Sequence, residues 1–117
     1  VQDSTFSGNA GTALRIIDGD LEVRNTTLSG NSRRGVEFAR LTGRNLLIRN
    51  TVLAGNGLGA CSVTGAGDAG IATDAYNLTQ GTGCDLHAGA SNIVNPVAGL
   101  TEIIVDPAAF SAYHLPV

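Results

Sequence analysis

Apolar and polar positions follow one frame three times in the first half of the chain: Val1-Gln-Asp-Ser-Thr-Phe-Ser-Gly-Asn9, Val23-Arg-Asn-Thr-Thr-Leu-Ser-Gly-Asn31 and Ile48-Arg-Asn-Thr-Val-Leu-Ala-Gly-Asn56. An aliphatic residue is followed two positions on by Asp or Asn, then by Phe or Leu, a small residue, Gly and Asn. The copies lie 22 and then 25 residues apart. Within Leu21 to Asn25 the apolar positions alternate with period two, as in a half-buried strand, and Leu46 to Asn50 repeats this less cleanly. Ala13 to Ile16 and Gly35 to Phe38 are further strand candidates, and helical periodicity is absent. Two or three short strands per coil, separated by Gly, Asn or Asp turns, predict a parallel β-helix that buries its core by stacking coil on coil. The expected fold is all-β: a single-stranded β-solenoid of about four to five coils. It forms one domain over 1–117, regular over 1–57 and loop-rich over 58–117.

The frame assigns roles to its residues. Val1, Phe6, Val23, Leu28, Ile48 and Leu53 are the expected core positions. Asn9, Asn31 and Asn56 should stand above one another at about 4.8 Å, where side-chain amides bond along the stack. The same register puts Asp3, Asn25 and Asn50 in a second column at the other bend. Asn tolerates the left-handed backbone of a sharp corner, and Gly8, Gly30 and Gly55 meet the same need. Both columns are read as structural ladders rather than as binding groups.

Beyond residue 57 the pattern loosens. Gly57 to Gly70 reads as an extended loop holding Cys61, and Ile71 to Leu78 as a return to strand. Ser91 to Val94 and Leu100 to Val105 follow, the latter broken by Asp106-Pro107, with one helical turn over Ala108 to Tyr113.

Composition narrows the core. Hydrophobic residues make up 43% of the chain but aromatics only 4%, with no Trp or Met, so Val, Ile, Leu and Ala must fill the interior. Apolar runs of a few residues fall far short of the roughly 20 a membrane helix needs, and no membrane insertion is expected. All seven basic residues are Arg, between Arg15 and Arg49, against five acids before position 50; five acids and no base follow it. That distribution of +2 and −5 gives no basic face for nucleic acid. It fits either a rod with oppositely charged ends, favouring head-to-tail contact, or an uneven solvated surface. Val1 corresponds to Val23 and Ile48, so the numbering starts on a core position; a removed leader and a longer repeat chain are both compatible with this.

Candidate chemistry is sparse. Asp18 and Asp20 flank a Gly and could reach the separation of an inverting glycosidase pair, but turn chemistry is the preferred reading. His87 and His114 have no evident Ser or Cys partner. Asn25-Thr-Thr27 and Asn77-Leu-Thr79 match the glycosylation acceptor pattern, although ladder membership should leave Asn25 poorly accessible. No catalytic residue, metal or cofactor is expected.

Asn50-Thr-Val-Leu-Ala-Gly-Asn56, Cys61, Tyr76-Asn-Leu78, Cys84-Asp-Leu86, Asn92-Ile93, Asp106-Pro107 and Tyr113-His-Leu115 occur in an order that spans nearly the whole chain. In that order the chain resembles the right-handed parallel β-helix repeat proteins of bacterial and archaeal surfaces, a branch of the pectate-lyase-like superfamily. The resemblance implies right-handed coils and an extracellular or cell-surface location. Where such proteins commonly continue, this chain stops at Pro116-Val117, and the cluster of Asp residues typical of pectinolytic members is not evident. In that extracellular setting Cys61 and Cys84 are expected to form a disulfide, closing a loop of about 24 residues worth roughly 3 kcal/mol. His87 near Cys84 is the weak rival, a metal site. The expected function is non-enzymatic: a structural solenoid unit of a stalk, or a filament in which the chain is its own head-to-tail partner or abuts further repeats. A carbohydrate-binding or adhesive module is the alternative, with polysaccharide as partner; a polysaccharide lyase or hydrolase ranks third.

Overall fold

The computed structural model describes residues 1–40, 44–65, 73–81, 83, 92–94, 100–106 and 111–116. It is all-β, with no helix among the described residues, and no helix long and apolar enough to cross a membrane. The first coil contributes β1 (Thr5–Ser7) and β2 (Leu14–Ile16), the second β3 (Leu21–Arg24), β4 (Thr27–Ser29) and β5 (Val36–Arg40). The third brings β6 (Leu46–Arg49), β7 (Val52–Ala54) and β8 (Cys61–Gly65). Then come β9 (Thr73–Ala75), β10 (Leu78–Thr79), β11 (Ile93–Val94), β12 (Leu100–Asp106) and β13 (Ser111–Pro116).

Each of the strands β1–β11 pairs with its counterpart one coil away, always parallel. One sheet runs β1-β4-β7-β10-β11, a second β2-β5-β8 and a third β3-β6-β9. Register follows the repeated frame: Phe6 faces Leu28 and Leu28 faces Leu53, while Val23 faces Ile48. A one-residue slip would turn every aliphatic side chain outward, so the frame itself specifies this pairing. The stack therefore consists of parallel sheets joined by tight corners, with the core enclosed between them.

That core is made of Leu21, Val23, Leu28, Val36, Phe38, Leu46, Ile48, Leu53, Ala60 and Cys61, all buried. Val23, Leu28, Ile48 and Leu53 are fully buried. A side chain of this size contributes about 1.5–3 kcal/mol when taken out of water. Phe6 is only partly buried against this cluster, and Val1 is 47% exposed. Val1 is thus not the core residue its place in the frame predicts, because no described coil packs on its outer side.

Three expectations for the second half change. Gly57 to Gly70 is not an extended loop throughout: Cys61 to Gly65 is strand β8, paired residue for residue with β5. Its Gly-rich flanks conceal a short strand in which Cys61 is buried, Val63 packs partly against the core and Thr64 is exposed. Ile71 to Leu78 is not one strand, because a corner at Tyr76 separates β9 from β10. The helical turn expected over Ala108 to Tyr113 meets strand at its end, since Ser111 to Tyr113 belong to β13, which pairs antiparallel with β12. Ala108 to Phe110 lie outside the described residues.

Candidate functional site

The two polar columns sit at opposite ends of the strands β1, β4 and β7. In the first, Asn9 Nδ2 donates to Asn31 Oδ1 at 2.7 Å, and Asn31 Nδ2 donates to Asn56 Oδ1 at 2.9 Å. The backbone N–H of Asn9 and that of Asn31 reach the same two oxygens, each at 3.2 Å. Asn31 Nδ2 also donates to the Phe6 carbonyl at 3.2 Å, and Asn56 Nδ2 to the Leu28 carbonyl at 2.9 Å. Each amide therefore clamps the turn of the preceding coil: its oxygen takes the N–H of the equivalent Asn and its nitrogen serves the carbonyl three residues before. Gly8, Gly30 and Gly55 have φ of 64°, 64° and 62°, a backbone that lets the chain turn into the Asn without a Cβ clash.

The second column runs the other way. Asn25 Nδ2 donates to Asp3 Oδ1 at 2.9 Å, and Asn50 Nδ2 to Asn25 Oδ1 at 3.2 Å, so donation here points to earlier coils. Gln2 Nε2 donates to the other Asp3 oxygen at 3.0 Å. The hydrogen bond from Asn25, and then that from Gln2, hold the Asp3 carboxyl below the ordinary carboxylate range. Asn25 is exposed rather than poorly accessible as its ladder place suggested, because the corner points its side chain into solvent.

A third column mixes residue types. Thr26, Thr51 and Asn77 occupy the position after this corner, all buried. Thr26 and Thr51 each turn their hydroxyl back to donate to the carbonyl two residues earlier. Asn77 Oδ1 accepts the Thr51 N–H at 3.0 Å, and its Nδ2 donates to the Ile48 carbonyl at 2.9 Å. That is the clamp of Asn31 and Asn56, transferred to the other corner. Asn92 Oδ1 in turn accepts the Asn77 N–H at 2.9 Å. The side-chain nitrogen of the Asn77 acceptor sequence is thus buried and occupied.

The other candidates are accounted for by turns. Asp18 accepts from Arg44 Nε at 3.1 Å and Asp20 from the Asn45 N–H at 2.7 Å, so both carboxylates fasten one coil's turn to the next. His87 and Cys84 lie outside the described residues, and His114 lies in β13. Cys61 is fully buried, and there is no free cysteine among the described residues. No group of three His, Cys, Asp or Glu that could hold a metal ion occurs among the described residues.

What stands out is where the second column ends. Asp3, Asn25 and Asn50 have φ of 50°, 49° and 49°, and the fourth residue at this corner is Tyr76, with φ of 57°. Asp and Asn accept that conformation, whereas an aromatic side chain in it costs about 1–2 kcal/mol. The Tyr76 ring recovers little of this by packing, being 67% exposed. It forms the wall of a groove of about 400 Å³ completed by Arg24, Asn25, Arg49, Asn50 and Ala75. On its other side it borders a shallower hollow with Asn77 and the exposed Ile93. Arg24 and Arg49 are direct partners on neighbouring strands, a like-charged pair at about 4.8 Å rung spacing. Glu22 engages Arg24; Arg49 is in no ion pair among the described residues. Tyr76 cannot donate an amide to Asn50 as Asn50 donates to Asn25, so Asn50 Oδ1 keeps an open acceptor site. The aromatic was visible in the sequence; its place at the end of the column was not, because the aliphatic-x-Asn frame fails there. No protein-family model, curated protein or solved structure matches this chain.

Proposed function

We propose that the chain is a non-enzymatic structural β-solenoid unit that builds an extracellular stalk or head-to-tail filament on a prokaryotic surface. One observation carries this reading. The Asn clamp joins each coil to the one before it by side-chain and backbone bonds alike, so any coil with the same frame docks in the same way. Asn9 Oδ1 takes no bond from the described residues and is exposed, ready for the N–H of a coil laid against it as Asn31 Oδ1 is for Asn9. The half-covered Phe6 beside it supplies apolar surface for the same contact. The coils are right-handed on this reading, as parallel crossovers generally are. Cys61 pairs with Cys84, which suits an oxidising compartment and the absence of free thiol among the described residues. Electron microscopy of the purified chain, with sedimentation velocity across a concentration series, is the test. Linear end-to-end assemblies are expected, and a monodisperse monomer at high concentration would defeat the filament.

A second reading, a carbohydrate-binding surface, is favoured by the exposed Tyr76 at the corner. It is compatible with the first, since a stalk can carry a lateral site.

A further inference from the structure

We infer that the corner formed by Tyr76, Asn50 and Arg49 binds an acidic glycan, stacking a sugar ring on Tyr76 and pairing its carboxylate or sulfate with Arg49. The inference rests on the carbohydrate-binding reading and gives it a site and a ligand class. Three groups converge there. The Tyr76 ring is exposed although its backbone is held in a conformation that an Asn would adopt more easily, so the aromatic is not there to form the corner. A flat apolar face of this kind takes the C–H face of a pyranose. Asn50 Oδ1, left without an amide donor, accepts a sugar hydroxyl. The Arg49 guanidinium, beside like-charged Arg24 and without a carboxylate of its own among the described residues, takes an anion in bidentate geometry. The groove they line, about 400 Å³, accommodates one ring and leaves its ends open to a polymer.

A neutral sugar would leave Arg49 unused and a small free anion would leave Tyr76 unused; one acidic sugar unit engages both. The charges also set the sign of the partner: Arg24 and Arg49 are the charged residues that line the groove, and Glu22 pairs with Arg24, which leaves Arg49 to meet an anion.

The test is isothermal titration of the full chain with a polyuronate, a sulfated glycosaminoglycan, neutral dextran and poly-glutamate, at low and high salt. Binding to the acidic glycans that weakens with salt is expected, with dextran and poly-glutamate at least tenfold weaker. The two acidic arms separate carboxylate from sulfate as the anion. The informative variant is Tyr76→Asn, which suits the corner backbone and can continue the amide column to Asn50. It should fold at least as stably as the parent and lose tenfold or more in glycan affinity. Arg49→Gln should abolish the preference for acidic over neutral polymer. Undiminished binding by Tyr76→Asn, or no glycan binding by the parent, overturns the site. Equal binding of dextran overturns the acidic class while leaving the carbohydrate reading standing, and equal binding of poly-glutamate points to an acidic peptide instead. The end-to-end assembly seen by microscopy is a separate readout, so the stalk and the site stand or fall independently.

Discussion

The two amide columns use the same residue type at the same coil spacing and yet carry unequal weight. In the Asn9 column, Asn31 is 1% exposed and Asn56 8%, so every polar atom withdrawn from water must find a partner in the protein. In the Asp3 column the side chains are exposed, and water can replace any bond that is lost. A repeated Asn therefore tells a reader that a corner is present; burial tells whether the corner depends on the amide.

The comparison breaks most sharply at Asn31. Replacing it with Ala strands the Asn9 N–H and the Phe6 carbonyl, takes one of two donors from the Asn56 oxygen, and should destabilise the fold by about 3 kcal/mol in denaturant titration. Next, Gly30→Ala forces a Cβ into φ of 64° and should cost about 1–2 kcal/mol in the same measurement. Asn25→Gly sharpens the contrast from the other side. It keeps the corner's backbone freedom and loses only two exposed bonds that water can replace, so a change below about 0.5 kcal/mol is expected; a loss like that of Asn31→Ala would show the columns to be equivalent. The smallest effect concerns pH. Hydrogen bonds to Asp3 lower its folded-state value below the unfolded one, so its contribution is present above the unfolded value of about 3.9 and disappears as pH falls through the folded one. In Asp3→Asn that part of the acid slope should vanish with little change at neutral pH, as measured by unfolding between pH 5 and pH 2.

Sequence made the regular coils legible because spacing and chemistry coincide there. Gly30 followed by Asn31 marks a corner wherever it occurs, and Val23 two places before Asn25 marks the strand that leads into one. The Thr26–Thr51–Asn77 column escaped because hydroxyls do the work in two coils and an amide in the next, so no one letter runs through all three. Strand β8 escaped for a different reason. Its pairing with β5 comes from a partner coil already in place, which lets Ser62 and Thr64 join a sheet that local propensity between glycines would not predict. The step from Leu78 to Ile93 is 15 residues, against 25 from Thr27 to Val52, and a period that changes cannot be followed by a fixed frame. Tyr76 illustrates both difficulties: it keeps the geometry of the column while abandoning its chemistry.

The opposed directions of donation in the two columns have an electrical consequence. Amides aligned head to tail add their dipoles, as they do along a helix. Here the amide-to-amide bonds of one row run toward later coils and those of the other toward earlier ones. The two rows oppose one another along the axis, and strand backbones add little net dipole of their own. Adding coils with this pairing lengthens the rod without building a field from end to end, so the potential at its tips is left to the charged side chains.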